Sequence, residues 1–222
     1  MSSHGQLVTV LEGKWFNHTN VSVRDFLRPL MDLWTHGHRK QGDAAVHYEM
    51  FTTEASFRSA AMGHAFRHGR PKVIYIAAHG DPEGIVGYHG EEVLSRTKIR
   101  NSIPDGEDDG TTSRGLLFGA CSFVNEDNAE FLLKSRRVSW IAGYSKKVDW
   151  YDSSLLEAFF LKNILFPKAD ETPIDLVRLV TARLQRNMQG LAEQLGFCVI
   201  IRKPGGGYIN LMSKKDIEGQ AA

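Results

Sequence analysis

The sequence has no excess of charge, no long apolar run and no leader-like amino terminus, and each absence removes a class of protein. Its 27 basic residues against 26 acidic ones leave a formal net charge of +1, so no global field draws it to nucleic acid or to an anionic membrane. No apolar stretch has the length that spans a bilayer, and residues 1–5 lack the charged and then apolar pattern of a signal peptide. We therefore expect a soluble, cytoplasmic protein with no nucleic acid or membrane partner.

Cysteine is also scarce, with Cys121 and Cys198 as the only two. One disulfide between them is formally allowed, but a reducing compartment disfavours it, and so does a reactive role for Cys121. With 222 residues, of which 42% are hydrophobic, the chain can bury a substantial core. It contains no internal repeat and no linker, so we predict a single domain over residues 1–222.

The stretch 114–122 combines an apolar run with a thiol at its end. Leu116, Leu117 and Phe118 are flanked by glycine and followed by Gly119-Ala120-Cys121, a pattern that indicates a buried parallel strand. In open α/β sheets, ligands bind beyond the carboxyl ends of the strands, so this cysteine is placed for chemistry. The alternative is a small buried hydrophobic residue, the commonest role of a free cysteine.

The stretch 71–80 has the same design, because its apolar run ends in Ala77-Ala78 and then His79-Gly80. If the two strands are parallel neighbours, His79 reaches the sulfur of Cys121 and generates the thiolate that attacks a carbonyl. The amides of Gly80 and Cys121 are then placed to hold the oxyanion, and glycine leaves room for a substrate. Taken alone, His79 is as easily a hydrogen-bonded structural histidine.

This order of strand, His79-Gly80, excursion, strand, Ala120-Cys121 and helix resembles the caspase-like (clan CD) cysteine peptidases, a group that includes caspases, metacaspases, gingipains, separase and bacterial CHAT-type proteases. Residues 140–145, followed by Val148-Asp149 and a helix to Leu165, are particularly similar to the CHAT-type pattern. The resemblance covers roughly residues 73–165. It implies a three-layer αβα sandwich with a mainly parallel sheet of about six strands.

The resemblance further implies a Cys121–His79 catalytic dyad, an oxyanion hole formed by the amides of Gly80 and Cys121, and no cofactor or metal. It implies a bacterial source and a defence or regulated cell-death setting, including antiviral defence, in which a protein partner activates the protease. Caspases carry glutamine and metacaspases aspartate two residues before the cysteine, whereas this chain has Gly119. The resemblance therefore leaves the specificity pocket unassigned.

The exit of the strand 138–144 is the predicted substrate wall, because it lies at the same sheet edge as the dyad. Of its charged residues, Lys146, Lys147, Asp149 and Asp152, Asp149 is our candidate for substrate binding, through a basic residue on the amino side of the scissile bond. Asp152 is as easily the N-cap of the following helix.

Elsewhere, hydrophobic periodicity and turn residues predict the remaining elements. We expect a mobile surface loop at 105–114, with the acidic run 106–110 as a gating or cleavage segment if the caspase resemblance extends that far. The predicted strands are 6–11, 45–51 at a sheet edge, 138–144, 197–201 and 208–212, with a small hairpin at 84–94, and the predicted helices are 22–37, 52–69, 125–134 and 174–195.

The function predicted from these features is hydrolysis of peptide bonds in a protein or peptide substrate. A second hypothesis is a catalytically silent caspase-like module that binds or scaffolds, since the chain shows no sensor of its own. A third is a metal-dependent hydrolase using some of the nine histidines. No helix-borne histidine pair with an acidic partner supports the third hypothesis, so we rank it last.

Overall fold

The computed structural model describes residues 8–14, 22–35, 46–66, 73–87, 92–104, 114–167, 171–203 and 205–213. These residues form a seven-stranded sheet with helices on both faces and a small three-stranded sheet beside its carboxyl edge. Of the loop predicted at 105–114, residues 105–113, with the acidic run, lie outside the described residues, whereas Arg114 is the buried first residue of the strand that leads to Cys121.

The large sheet is parallel for five of its strands and antiparallel at one end. Its strands are β1 (Val8–Gly13), β2 (Val46–Phe51), β3 (Val73–Ala77), β7 (Arg114–Gly119), β8 (Val138–Tyr144), β9 (Phe197–Arg202) and β10 (Tyr208–Asn210). Strands β1, β2, β3, β7 and β8 pair in parallel, β9 runs antiparallel to β8, and β10 runs antiparallel to β9. The order across the sheet is β10-β9-β8-β7-β3-β1-β2.

Helices cover both faces of this sheet, which explains why its central strands are apolar throughout rather than alternating. The helices are α1 (Val23–Thr35), α2 (Glu54–Ala60, continued by a π-helical turn Ala61–Ala65), α3 (Arg96–Asn101), α4 (Glu126–Leu133), α5 (Trp150–Leu165) and α6 (Pro173–Leu195). One core joins α1, α5 and α6 to residues such as Tyr75 and Trp140 of the sheet. The other joins α2, α3 and α4 to the opposite face, where Ile74 and Ile141 lie.

This three-layer αβα sandwich confirms the predicted fold class, with seven strands where about six were expected. The edge position predicted for residues 45–51 is also confirmed, because β2 is the last strand of the order. The predicted hairpin at 84–94 is part of the small sheet, which consists of β4 (His79–Gly80), β5 (Gly84–Val86) and β6 (Val93–Ser95). Among the described residues, no helix combines the length and the apolar content needed to cross a membrane.

Candidate active site

The site lies where β3 and β7 end side by side. The two strands pair in parallel with Ala77 opposite Gly119, and the amide of Ala78 donates to the carbonyl oxygen of Gly119 at 3.3 Å. His79 and Cys121 each follow two residues after that last pair, so the predicted adjacency of the two strands is confirmed. Both side chains line one pocket of about 280 Å³, with His79 exposed at its rim and Cys121 half-buried.

Gly80 packs directly against the backbone of the cysteine. A Cβ atom at this position would lie 2.8 Å from the carbonyl oxygen of Cys121 and 2.9 Å from Cβ of Ala120. Both distances are shorter than a real contact permits, so only glycine allows this approach. The backbone of Gly80 therefore packs directly against that of Cys121, and an oxyanion hole formed by their two amides stays a prediction.

The chain turns sharply after the cysteine and is tied to the loop between β8 and α5. Ser122 has a φ of 57°, in the left-handed region, and its amide donates to the carbonyl oxygen of Lys146 at 2.9 Å. The sulfur of Cys121 accepts from the amide of Val148 at 3.4 Å and lies 3.8 Å from the carbonyl oxygen of the same residue. Val148 and Asp149, at the end of this loop, thus line one wall of the pocket, and the backbone of Val148 contacts the thiol.

Asp149 lines this pocket but also has a local structural role. Its Oδ1 accepts from the amides of Tyr151 at 2.8 Å and Asp152 at 3.3 Å, which makes Asp149 the N-cap of α5. The alternative that Asp152 caps the helix is wrong, because Asp152 already lies in the first turn. Val148 and Trp150 also line the pocket, while Lys146 and Lys147 are exposed and do not.

The floor of the pocket contains a carboxyl group that our sequence analysis missed. Glu157 of α5 is only 3% exposed, and it accepts from the hydroxyl of Tyr75 on β3 and, at Oε1, from that of Tyr144 on β8 at 3.0 Å. The hydroxyl of Tyr144 is also 3.1 Å from the carbonyl oxygen of Ser153 and has one proton to share between the two acceptors. The sequence does carry a signal for Glu157. It is an acidic residue within the apolar stripe of α5, four residues after Ser153 and three before Phe160.

Burial dominates the electrostatics of this floor. It raises the pKa of Glu157 to about 7, although the hydrogen bonds from Tyr75 and Tyr144 act in the opposite direction. Burial and the adjacent carboxyl group together raise the pKa values of both tyrosines well above their ordinary value. The hydroxyls therefore stay protonated as donors, while Glu157 changes charge close to neutral pH.

Gly119 determines whether this floor can be reached. A Cβ atom here would lie 2.8 Å from the hydroxyl oxygen of Tyr75 and 3.2 Å from Oε1 of Glu157. Caspases and metacaspases have a polar side chain at this position, and such a side chain here would overlie the carboxyl group of Glu157. With glycine, Tyr75 and Glu157 both line the pocket.

The other cysteine lies elsewhere. Cys198 is on β9, its sulfur donates to the carbonyl oxygen of Gly196 at 3.5 Å, and burial raises the pKa of its thiol. Both cysteines are free thiols. Within the ranges that the structure describes, no group of three or more histidine, cysteine, aspartate or glutamate side chains is arranged to hold a metal ion.

Neither a protein-family model nor a curated protein matches this sequence. The fold does match solved structures, among them the X-ray structure of iotapain, a secreted C11 cysteine protease from Bacteroides thetaiotaomicron. The TM-score is 0.50 at 12% sequence identity, and the match covers 93% of this chain and 66% of that one. The chain thus spans slightly less than two thirds of the protease's length. At this identity the likeness shows the fold, which is caspase-like.

Proposed function

We propose that the chain is a cysteine endopeptidase in which Cys121 attacks the substrate and His79 transfers the protons. The register of β3 with β7 carries this proposal, because it brings a thiol and an imidazole to the wall of one pocket. The caspase-like fold supports it, since iotapain is a cysteine protease with a similar fold.

The reaction uses groups that line or adjoin the pocket. His79 accepts the thiol proton while Sγ of Cys121 forms a bond to the scissile carbonyl carbon, and the displaced electron pair becomes an oxyanion held by the amides of Gly80 and Cys121. When the C–N bond breaks, His79 gives its proton to the leaving amine, and an acyl-enzyme remains. Water then attacks the acyl carbon and gives a proton to His79, and the S–C bond breaks to release the acid product and restore the thiol.

The finer features of the proposal rest on the sequence resemblance. The similarity of residues 140–165 to CHAT-type proteases suggests a bacterial enzyme that a protein partner activates in defence or regulated cell death, and we further propose a cytoplasmic location. Asp149 at the pocket wall would favour arginine or lysine on the amino side of the scissile bond, because a carboxylate attracts a cation there. No cofactor takes part in this chemistry.

Labelling of the full chain with a thiol-directed peptide electrophile tests the proposal. We expect the wild type and Cys198→Ala to gain the mass of the probe and Cys121→Ala to gain none, because Cys198 is outside the pocket and burial raises its pKa. Cys198→Ala is the matched control, since it removes the same atom from the other half-buried cysteine.

Two outcomes would contradict the peptidase assignment. Labelling of Cys121→Ala together with loss of labelling in Cys198→Ala would move the nucleophile to β9. A wild-type chain that neither takes up the probe nor cleaves any member of a peptide library would favour the silent binding module instead.

A further inference from the structure

The floor of the pocket offers a binding group that the proposed chemistry does not use. We propose that Glu157 is the specificity-determining residue of the pocket and that it receives the cationic tip of a lysine or arginine side chain through the gap above Gly119. This inference rests on the proposed function for its substrate. It assigns the charge that selects the substrate to Glu157 at the floor of the pocket rather than to Asp149 at the rim.

The space above Glu157 is the first argument. Because Gly119 has no side chain, both Tyr75 and Glu157 line the same pocket as His79 and Cys121. A substrate held at the thiol therefore has a route for its side chain down to the carboxyl group. The route is partly apolar, since Val23, Ala78, Val148 and Trp150 also line it, and these surfaces suit the aliphatic stem of a long basic side chain.

The acceptor capacity of the floor is the second argument. A carboxylate offers about four acceptor positions, and the two tyrosine hydroxyls occupy two of them. The open positions require a donor once Glu157 is charged, because a buried carboxylate without sufficient partners is strongly destabilised. An ammonium or guanidinium group supplies donors and the opposite charge together, and a guanidinium does so in a planar fork.

The charge of the whole lining is the third argument. Asp149 and Glu157 are its acidic members, and His79 is the basic one. The other titratable groups that face the pocket are Cys121 and Tyr75, while Tyr144 contacts Glu157 from β8 and Glu12 acts on Tyr75 from β1. The pocket therefore attracts cations once Glu157 is ionised, and it attracts them less when that group holds a proton.

Labelling rates with electrophiles that differ only in one side chain test the selection. Probes with lysine, arginine, norleucine or glutamine next to the reactive group are compared in the wild type, Glu157→Gln, Asp149→Asn and Glu130→Gln. We expect lysine or arginine to react at least ~10-fold faster than norleucine with the wild type, and Glu157→Gln to lose that ratio because the lysine and arginine probes react more slowly. Glutamine is a suitable replacement because its amide oxygen still accepts from a tyrosine hydroxyl.

The controls separate the floor from the rim and from general charge. Glu130 is exposed on α4 and does not line the pocket, so Glu130→Gln should behave as wild type. Asp149→Asn, which removes the charge at the rim, should lower the preference less than Glu157→Gln does. A basic preference that survives Glu157→Gln and disappears in Asp149→Asn would overturn the inference and assign selection to the rim. A wild-type preference for the glutamine probe would also overturn it, because the floor would then select a neutral amide.

A binding measurement separates failure of this inference from failure of the peptidase proposal. Agmatine carries a guanidinium on an aliphatic stem and needs no thiol chemistry, so it is titrated calorimetrically into Cys121→Ala and into Cys121→Ala with Glu157→Gln. We expect binding in the first protein, weakened at least ~10-fold in the second. If agmatine binding depends on Glu157 but no electrophile labels the wild type, the result would support a cation pocket without peptidase activity. Equal agmatine binding by both proteins, or by neither, would overturn the inference whatever the labelling shows.

Proton release distinguishes a contact from a merely structural role. A cation next to Glu157 favours its charged form, so binding near pH 7 should expel a proton from a group whose pKa burial raises to about 7. Calorimetry of agmatine binding in buffers of different ionisation enthalpy measures that proton. We expect release in Cys121→Ala and much less after Glu157→Gln. Release that is unchanged by this substitution would show that the proton comes from another group and would count against the inference.

Discussion

At the scale of single residues, the pocket brings together two groups whose roles in the proposed mechanism depend on each other. A thiol at a strand end becomes a strong nucleophile only if a base takes its proton, and His79 lines the same pocket as Cys121. Removal of His79 should therefore affect the chemical step more than substrate binding.

We predict that His79→Ala lowers kcat by roughly 10²–10⁴-fold with a much smaller change in KM, because general acid–base help is lost while the pocket remains. Steady-state cleavage of a fluorogenic peptide gives both constants. His47→Ala is the matched control, since His47 is on the edge strand β2, beside Glu49, and does not line the pocket. An equal loss in both variants would contradict the assignment.

The residues of the site differed in how far the sequence could reveal them. His79 and Cys121 each follow a local apolar run, so their positions at strand ends could be predicted from a few neighbouring residues. Glu157 contacts Tyr75, 82 positions away, and no local pattern carries information about a partner so distant. The cap role of Asp149 was missed for a different reason, because Asp149 and Asp152 are both acceptable caps by type.

At the scale of elements, the start of α5 connects helix stability to the position of the thiol. Asp149 caps the helix, and the preceding residue, Val148, contacts the sulfur of Cys121 through its backbone. Any change that frays this helix start should also disturb the position of the Cys121 thiol.

We predict that Asp149→Ala lowers the free energy of unfolding by about 1 kcal/mol, because two amides lose their acceptor. Asp149→Asn should cost less, since asparagine is also a good N-cap, and the pair therefore separates capping from charge. Urea denaturation gives the free energies, and peptide cleavage under native conditions gives the activity. Equal destabilisation by the two substitutions would argue against the cap as the cause.

The elements that could be predicted have strong local signals at their ends. The strand 138–144 was predicted with its observed bounds, and α6 ends as expected before Gly196, whose φ of 63° favours glycine. Helix α3 was not predicted, because its six residues contain one apolar side chain, Ile99, and periodicity needs a longer stretch. The π-helical turn after α2 has no sequence signal that we recognise.

At the scale of the whole molecule, the buried carboxyl group makes stability depend on pH. Its pKa is 4.5 as an ordinary glutamate and about 7 in the folded chain. Well below pH 4.5 Glu157 is protonated in both the folded and the unfolded chain, so it contributes no pH dependence to the free energy of unfolding. Between pH 4.5 and 7 the unfolded chain releases the proton first, so the folded state becomes less stable as the pH rises.

We predict that the wild type loses roughly 3 kcal/mol relative to Glu157→Gln between pH 4.5 and pH 8, since each pKa unit corresponds to about 1.4 kcal/mol. Free energies of unfolding of both proteins across this range measure the difference. Glu130→Gln should follow the wild-type curve, because Glu130 is exposed. A constant difference between wild type and Glu157→Gln would show that Glu157 has the same pKa in both states.

The boundary between β3 and β7 divides the sheet into two halves, and the pocket needs both of them. Strands β1 to β3 lie on one side of that boundary and strands β7 to β10 on the other. His79 follows β3 and Cys121 follows β7, so neither half contains the whole site. Selective labelling of Cys121 should therefore return during refolding only after the amides that pair β3 with β7 become protected, an order that pulsed amide exchange and timed labelling measure together.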